Sequence, residues 1–369
     1  MPIRLLQVIH CFRIGGSELF GLELASRFKE LGAEVFCAAI DNRPGPLLDH
    51  CLERGIHPID LGIPLDVLGR NGLSRVLQQR LSSLRLDGIH LQHFLALNKL
   101  GLPARLAGIP RVIVTEHSVH DVAQSLAGRA RARLTWRLAS KITVIDTSIK
   151  DYLCGPLRIP LDRVEVIPLG VDVQKWTRHD RGEQRARLGI RDELVFAFVG
   201  RLAPVKNVLG LITAFLEIVS SHRPAAKLLI VGSGPDYWAC EKLVSAHPHG
   251  RHVMLVGEQT DVRSFLAAAD IFIMNSHSEG TPRALLEAMA MGLPAICPKV
   301  GGIPGLLNER GWLFTPDSGS ELSASIKRSL ESPAERAELG TASQKYVRKN
   351  FDSHRAEERY WQLFTGNQR

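Results

Sequence analysis

Two carboxylates, Glu279 and Glu287, flank a helix start in the stretch Asn275-Ser-His-Ser-Glu-Gly-Thr-Pro-Arg-Ala-Leu-Leu-Glu287. Thr281 followed by Pro282 is a cap and first-turn pair, so the helix is expected to begin there. That leaves Glu279 and Gly280 in the loop, with Glu287 about a turn and a half into the helix. Carboxylates so placed accept hydrogen bonds from sugar and ribose hydroxyls, and amides near Gly280 and Thr281 approach sugar or phosphate oxygens. The plainer alternative for Glu287 is an acid tied to backbone in an otherwise apolar helix. Arg283 either reaches an anionic group or lies on the helix surface, and the surface is the expectation.

A second loop, Val199-Gly200-Arg201-Leu-Ala-Pro-Val-Lys206-Asn207, sets Arg201 and Lys206 beside a helix start. Two cations near free amides suit a diphosphate, which Arg holds through paired hydrogen bonds and Lys as a point charge. A solvated basic loop is the competing reading. Near the N-terminus, His10-Cys-Phe-Arg-Ile-Gly15-Gly16-Ser17-Glu18 follows a strand and opens a helix, so Gly15 and Gly16 can bring amides close to an anion; a tight turn accounts for them equally. GxGxxG is absent there, which argues against a dinucleotide site even though Asp41 ends the second strand. Gly232-Ser233-Gly234-Pro235 is a further glycine loop of either kind.

The elements that must carry these loops alternate along the chain. Short β-branched runs at Arg4–Ile9, Glu34–Ile40, Gly88–Gln92, Arg111–Thr115, Ile142–Ile145 and Val164–Pro168 are separated by helical patterns. The first helix is expected from Ser17, as its cap, to about Leu31, with Leu19, Leu22, Phe28 and Leu31 facing the core and Gly32 stopping it. A polar stretch, Gln174–Glu193, then precedes a second alternation at Leu194–Val199, Lys227–Val231, Val253–Val256, Ile271–Asn275, Ala295–Cys297 and Trp312–Phe314. The expectation is two doubly wound α/β domains, 1–173 and 174–350. Parallel sheets bind ligands at the carboxyl ends of their strands, so the loops named above are where function belongs.

Composition narrows the classes. The chain has 369 residues, 45% of them hydrophobic, enough for two buried cores, which excludes a disordered or fibrous protein. A net charge of +8 favours anionic partners. Six cysteines without CxxC spacing indicate neither a disulfide framework nor a thiolate zinc site and fit a reducing cytoplasm. The first apolar run is too short for a signal peptide, and no apolar run is long enough for a membrane-spanning helix, so any membrane contact is expected to be peripheral.

Taken in order, Gly15-Gly16-Ser17-Glu18, Val166-Ile-Pro-Leu-Gly170-Val-Asp172, Gly200-Arg201-Leu202 with Lys206, Glu279 with Glu287, Ala288-Met-Ala290, Gly292-Leu-Pro294 and Gly301-Gly302 resemble the retaining glycosyltransferases of family 4 over nearly the whole chain. The resemblance implies a GT-B fold, two Rossmann-like parallel-sheet domains facing a central cleft, with the acceptor mainly on the first and the nucleotide-sugar mainly on the second. It implies that the C-terminal segment 351–369, with Tyr360 and Trp361, crosses back onto the first domain. It further implies that Arg201 and Lys206 hold the donor diphosphate, that Glu287 contacts the ribose, that Glu279 lies at the donor sugar, and that His117 lies near sugar and acceptor; a core histidine is the bland alternative for His117. Many members have Gly-Phe-Gly at Gly280-Thr281-Pro282, Glu at Gly305 and Asn at Leu169, departures that bear on donor identity.

The expected activity is transfer of a sugar from a nucleoside-diphosphate sugar to a saccharide or lipid-linked acceptor in envelope or polysaccharide biosynthesis, with retention. The leaving diphosphate's charge would be met by Arg201, Lys206 and the Gly16 amide. Neither Asp-x-Asp nor HExxH occurs, so neither a metal nor a resident cofactor is expected. Epimerisation or hydrolysis of a nucleotide-sugar on the same fold, or nonenzymatic nucleotide binding, are the alternatives; the paired acids argue against nucleic acid. The basic stretch Gly128–Lys141 reads as a solvated helix with one core face, or as a surface for anionic lipid at the cytoplasmic face of a membrane. Oligomeric state leaves no trace.

Overall fold

The computed structural model describes residues 2–62, 71–117, 126–177, 181–222 and 225–366. Positions 178–180 of the polar stretch, and 367–369 at the C-terminus, lie outside the described residues. The chain divides into two compact units, Met1–Leu169 with His354–Arg369, and Gly170–Ser353. The changeovers lie at 169/170 and 353/354, close to the expected 173/174 and 350/351, and just inside the second unit the two segments run parallel through an isolated bridge between Val171 and Asp352. Val171 N–H donates to Phe351 O (2.8 Å), Ser353 N–H donates to Val171 O (3.1 Å), and a Cβ on Gly170 would lie 2.3 Å from Ser353 Cα.

The first unit is a seven-stranded parallel sheet of β1 (Arg4–Cys11), β2 (Glu34–Asp41), β3 (His57–Pro58), β4 (Gly88–Gln92), β5 (Arg111–Glu116), β6 (Lys141–Val144) and β7 (Val164–Val166), in the order β3-β2-β1-β4-β5-β6-β7. The second is a six-stranded parallel sheet of β8 (Leu194–Val199), β9 (Ala226–Val231), β10 (Val253–Gly257), β11 (Ile271–Ile273), β12 (Ala295–Pro298) and β13 (Trp312–Phe314), in the order β10-β9-β8-β11-β12-β13. Residues such as Leu6, Val8, Ile89 and Val114 in one, and Phe196, Phe198, Leu228 and Phe272 in the other, are fully buried. Helices cover both faces of such sheets, which is why these strands read as continuous apolar runs. In each unit the connection reverses direction beside the first strand, between β1 and β4 and between β8 and β11. That reversal opens a crevice at the carboxyl ends of those strands.

The first helix differs from expectation in its frame. It spans Gly16–Glu30 with Gly15 at the N-cap, while the Ser17 hydroxyl donates to the Glu18 carboxylate at 2.9 Å instead of capping. Its core stripe is therefore Phe20, Leu22, Leu24 and Phe28; Leu19 is only half-buried and Leu31 is exposed. Gly32 does end it, at φ +91°. The two-residue edge strand β3 was not foreseen, being too short to carry a pattern. The last helix, Ser353–Thr365, packs on the first unit, burying Tyr360 and Phe364 completely. Gly88 makes the room: a Cβ there would stand 2.5 Å from Phe364 Cδ1.

Candidate functional site

In the second unit the loops after β8 and β11 meet at the crevice. His277 N–H donates to Val205 O at 2.8 Å and Asn275 Nδ2 to Asn207 O at 3.4 Å, so the two loops form one ledge. On it Lys206 Nζ is 2.6 Å from Glu279 Oε1, with the Glu279 side chain only 7% exposed. Arg201 stands exposed on the same loop as Lys206. The backbone supports are glycines. Gly232 and Gly234 have positive φ, and a Cβ on them would stand 2.0 Å from Gly200 O and 2.3 Å from Leu202 O, so the glycine loop after β9 serves to let the Gly200–Leu202 turn approach closely. Gly301 plays the same part beneath the acid, where a Cβ would meet Glu279 O at 1.7 Å, and Gly302 N–H donates to Gly280 O at 3.0 Å.

The helix of this ledge begins one step later than expected. It spans Arg283–Ala290 with Pro282 at the N-cap and no side-chain cap, so Thr281 does not cap it. Glu287 lies in the second turn and is buried, and Arg283, expected on the surface, is buried beside it with Nε 2.7 Å from Glu287 Oε1. The expectation failed because an arginine at a helix start in an apolar segment gives no sign of which carboxylate lies one turn ahead on the inner face.

In the first unit the ends of β1, β4 and β5 bring together Gly15, Gly16, Glu18, Gln92, His93, Glu116 and His117. Gly15 and Gly16 open the first helix, and buried Glu18 lies in its first turn. His117 is buried; its Nε2 is hydrogen-bonded to Gln92 Oε1, and its ring packs edge-on against Phe20 at 5.8 Å and, tilted, against His93 at 4.8 Å. Glu116 accepts from His117 N–H (3.0 Å), Phe94 N–H (2.9 Å) and His93 Nδ1 (3.2 Å), tying the end of β5 to the helix His93–Leu106. Burial, then the neighbouring His93 and His90, hold the His117 imidazole well below its ordinary pKa, so it is neutral. For His93 burial pulls downward, but the hydrogen bond and charge of Glu116, with Glu18 behind it, outweigh this and raise it. The two neighbouring imidazoles, tilted against each other, are thus shifted in opposite directions.

Gln92, His93 and Glu116 were not singled out in the sequence. Their signal is positional: polar residues close the apolar strands β4 and β5 beside the reversal point. Among the described residues no group of three or more His, Cys, Asp and Glu is arranged to hold a metal ion.

Two parallel-sheet α/β units with these loops at their reversal points define a GT-B protein. The chain belongs to the group 1, family 4 glycosyltransferases: the description "Glycosyl transferases group 1" matches residues 180–346 and "Glycosyltransferase Family 4" matches residues 14–175. It is 32% identical over 261 residues, 66% of this chain and 67% of the relative, to the GDP-mannose-dependent monoacylated alpha-(1-6)-phosphatidylinositol monomannoside mannosyltransferase of Corynebacterium glutamicum. It is 31% identical over 220 residues, 54% of each chain, to the UDP-Gal:alpha-D-GlcNAc-diphosphoundecaprenol alpha-1,3-galactosyltransferase of Escherichia coli, so the match spans about half of that relative's length. Among solved structures, Anabaena HepE in complex with UDP-glucose matches with a TM-score of 0.83 at 20% identity, covering 99% of this chain and 100% of that one. A Rickettsia africae glycosyltransferase matches with a TM-score of 0.83 at 16% identity, covering 99% and 98%. These likenesses are to the fold.

Proposed function

We propose that the chain transfers a sugar from a nucleoside-diphosphate sugar to an acceptor hydroxyl, with retention and without a metal, in the assembly of a cell-envelope or polysaccharide glycan. The observation that carries this reading is the ledge of the second unit, where Lys206 pairs with Glu279 and exposed Arg201 lies on the same loop as Lys206. Family membership supports it, as do the donors and lipid-linked acceptors named for the Corynebacterium and Escherichia coli relatives. In the reaction the bond from the anomeric carbon to the diphosphate oxygen breaks and the bond to the acceptor oxygen forms on the same face. The acceptor's proton leaves with the diphosphate. Arg201 and Lys206 stabilise the growing charge on the leaving oxygen, Glu279 takes the sugar's hydroxyls and Glu287 takes the ribose.

The test is a thermal-shift screen in EDTA against UDP-, GDP- and ADP-sugars, followed by NMR of the anomeric proton in the product. A rise in melting temperature with one donor and an unchanged anomeric configuration are expected. Binding that appears only with a divalent metal, an inverted product, or release of free sugar without acceptor would each refute its part of the reading.

We place the reaction at the cytoplasmic face of a membrane, with peripheral attachment. No helix among the described residues is long and apolar enough to cross a bilayer. The helices Asn71–Ser83, His93–Leu106 and Leu126–Trp136, which pack successively against one another in the first unit, contain no Asp or Glu, yet carry Arg75, Arg80, Lys99, Arg105, Arg129, Arg131 and Arg133. Leu102, Leu106 and Leu134 stand 48%, 53% and 62% exposed on the latter two helices. Cations with interleaved exposed leucines suit an anionic bilayer surface, which offers both charge and acyl chains.

A further inference from the structure

Arg283 and Glu287 form an ion pair one helical turn apart, Nε to Oε1 2.7 Å, with side chains only 8% and 7% exposed. Helix stability does not account for it. Arg283 is the first residue of Arg283–Ala290, where unsatisfied amides and the helix dipole favour an anion, and a cation followed four residues later by an acid is the weaker order for such a pair. Nor does packing account for it, since taking two charges out of water costs about as much as their attraction returns. The helix is buried on nearly every side: Leu285, Leu286, Ala288 and Met289, which point away from the pair, are fully buried as well. A charged pair kept in such surroundings, one turn beyond the ledge that bears Glu279 and Lys206, points to a task for the carboxylate.

We propose that Arg283 is a positioning residue for the donor: its guanidinium holds the Glu287 carboxylate in the orientation that receives the ribose hydroxyls. The planar fork of an arginine fixes a carboxylate's direction in a way that a lysine or an apolar side chain does not. Arg283 thereby sets how strongly the nucleotide's ribose contributes to binding. The inference rests on reading the second unit as the nucleotide-sugar site.

Its test uses calorimetric titration of the full chain with UDP, GDP and ADP, and with their 2′,3′-dideoxy counterparts. The proteins are wild type, Arg283→Gln, Arg283→Leu and Glu287→Gln, each melted beforehand to confirm folding. For the diphosphate that binds, wild type is expected to prefer the ribose form by about tenfold or more, as hydrogen bonds to a charged group imply. Arg283→Gln and Arg283→Leu are expected to lose that preference as Glu287→Gln does, while the dideoxy form binds all four proteins alike. Equal losses against both forms would overturn the proposal, showing a direct phosphate contact or a purely structural pair; an unchanged preference would overturn it as well. If Arg283→Leu does not fold, Arg283→Gln, which keeps a hydrogen-bond donor beside Glu287, carries the comparison. Should wild type bind none of the three diphosphates, the donor reading itself fails and takes this inference with it.

Discussion

Lys206 Nζ lies 2.6 Å from Glu279 Oε1, so the cation suited to a diphosphate is already engaged by the acid suited to the sugar. On the proposed function, a donor draws Lys206 toward its phosphates and Glu279 toward its hydroxyls at the same time. Glu279→Gln is therefore expected to tighten binding of the bare nucleoside diphosphate several-fold while lowering transfer by about a hundredfold or more, the order seen when a preorganised polar group is removed from an active site. Lys206→Ala is expected to weaken both. Calorimetry with the diphosphate, set against turnover with the intact donor, separates the two behaviours.

The glycine supports make a second prediction. Gly232→Ala places a methyl 2.0 Å from the Gly200 carbonyl at a φ of +137°, so backbone must move, and the turn that moves carries Arg201. Loss of stability of about 1 to 3 kcal/mol and weaker donor binding are expected together. Gly319→Ala, at a helix start with open space around it, is expected to leave both unchanged. Denaturant melts and donor titration of the two variants provide the comparison.

Acid should weaken the first unit through its histidines. Burial holds the His90 pKa down to about 3, with its ring bonded to Gln7 Oε1 (2.9 Å) and Thr115 Oγ1 (2.7 Å), and His117 is also held well below its ordinary value. An unfolded histidine takes its proton near pH 6.5, so the unfolded chain binds more protons in this window. Stability falls as pH drops below about 6.5, by up to about 1.4 kcal/mol per pH unit for each such group. His93 works the other way: its raised pKa stabilises below pH 6.5, and that contribution is lost as pH rises through its folded value. Burial lowers His10 too, so three lowered histidines stand against one raised one. Melting temperatures of wild type and His90→Gln from pH 7 to 4.5 should show the shallower decline in the variant.

The C-terminal helix is locked by a hydroxyl. Tyr360 OH is 2.9 Å from Thr115 Oγ1 and 3.1 Å from Thr143 Oγ1, inside a fully buried setting that raises its own pKa to about 12. Tyr360→Phe keeps the ring contacts with Phe20 and His90 but removes these bonds, for an expected loss of about 1 to 2 kcal/mol. Equilibrium urea unfolding gives the value directly.

For the membrane face, Leu102→Glu with Leu106→Glu is expected to reduce cosedimentation with vesicles rich in phosphatidylglycerol. Wild type should bind these more strongly than phosphatidylcholine vesicles and release with salt. Wild-type binding indifferent to lipid charge, or an unaffected double variant, would count against that surface. Donor binding by the variant serves as the control for folding.

The strands Gly88–Gln92, Leu194–Val199 and Trp312–Phe314 match their expected bounds, because strands buried on both faces must be written as unbroken apolar runs and their ends as turns. The order of the loops along the chain was likewise legible, since glycines, cations and acids at strand ends are local features. The frame of the first helix was not, because Ser17 turned to Glu18, and local preference carries no record of that competition.

Alternation, the two sheets and the residues Arg201, Lys206, Glu279 and Glu287 were thus written in the sequence itself. The pairings were decided only by the tertiary structure: Lys206 with Glu279 across 73 positions, His117 with Gln92 across 25, Glu116 capping a helix from another strand, and Arg283 turned inward to Glu287. The reason is physical. A pattern of residue types constrains which element forms and which face it buries, whereas the partner of a buried charge is whichever group the packed sheets bring within about 3 Å of it.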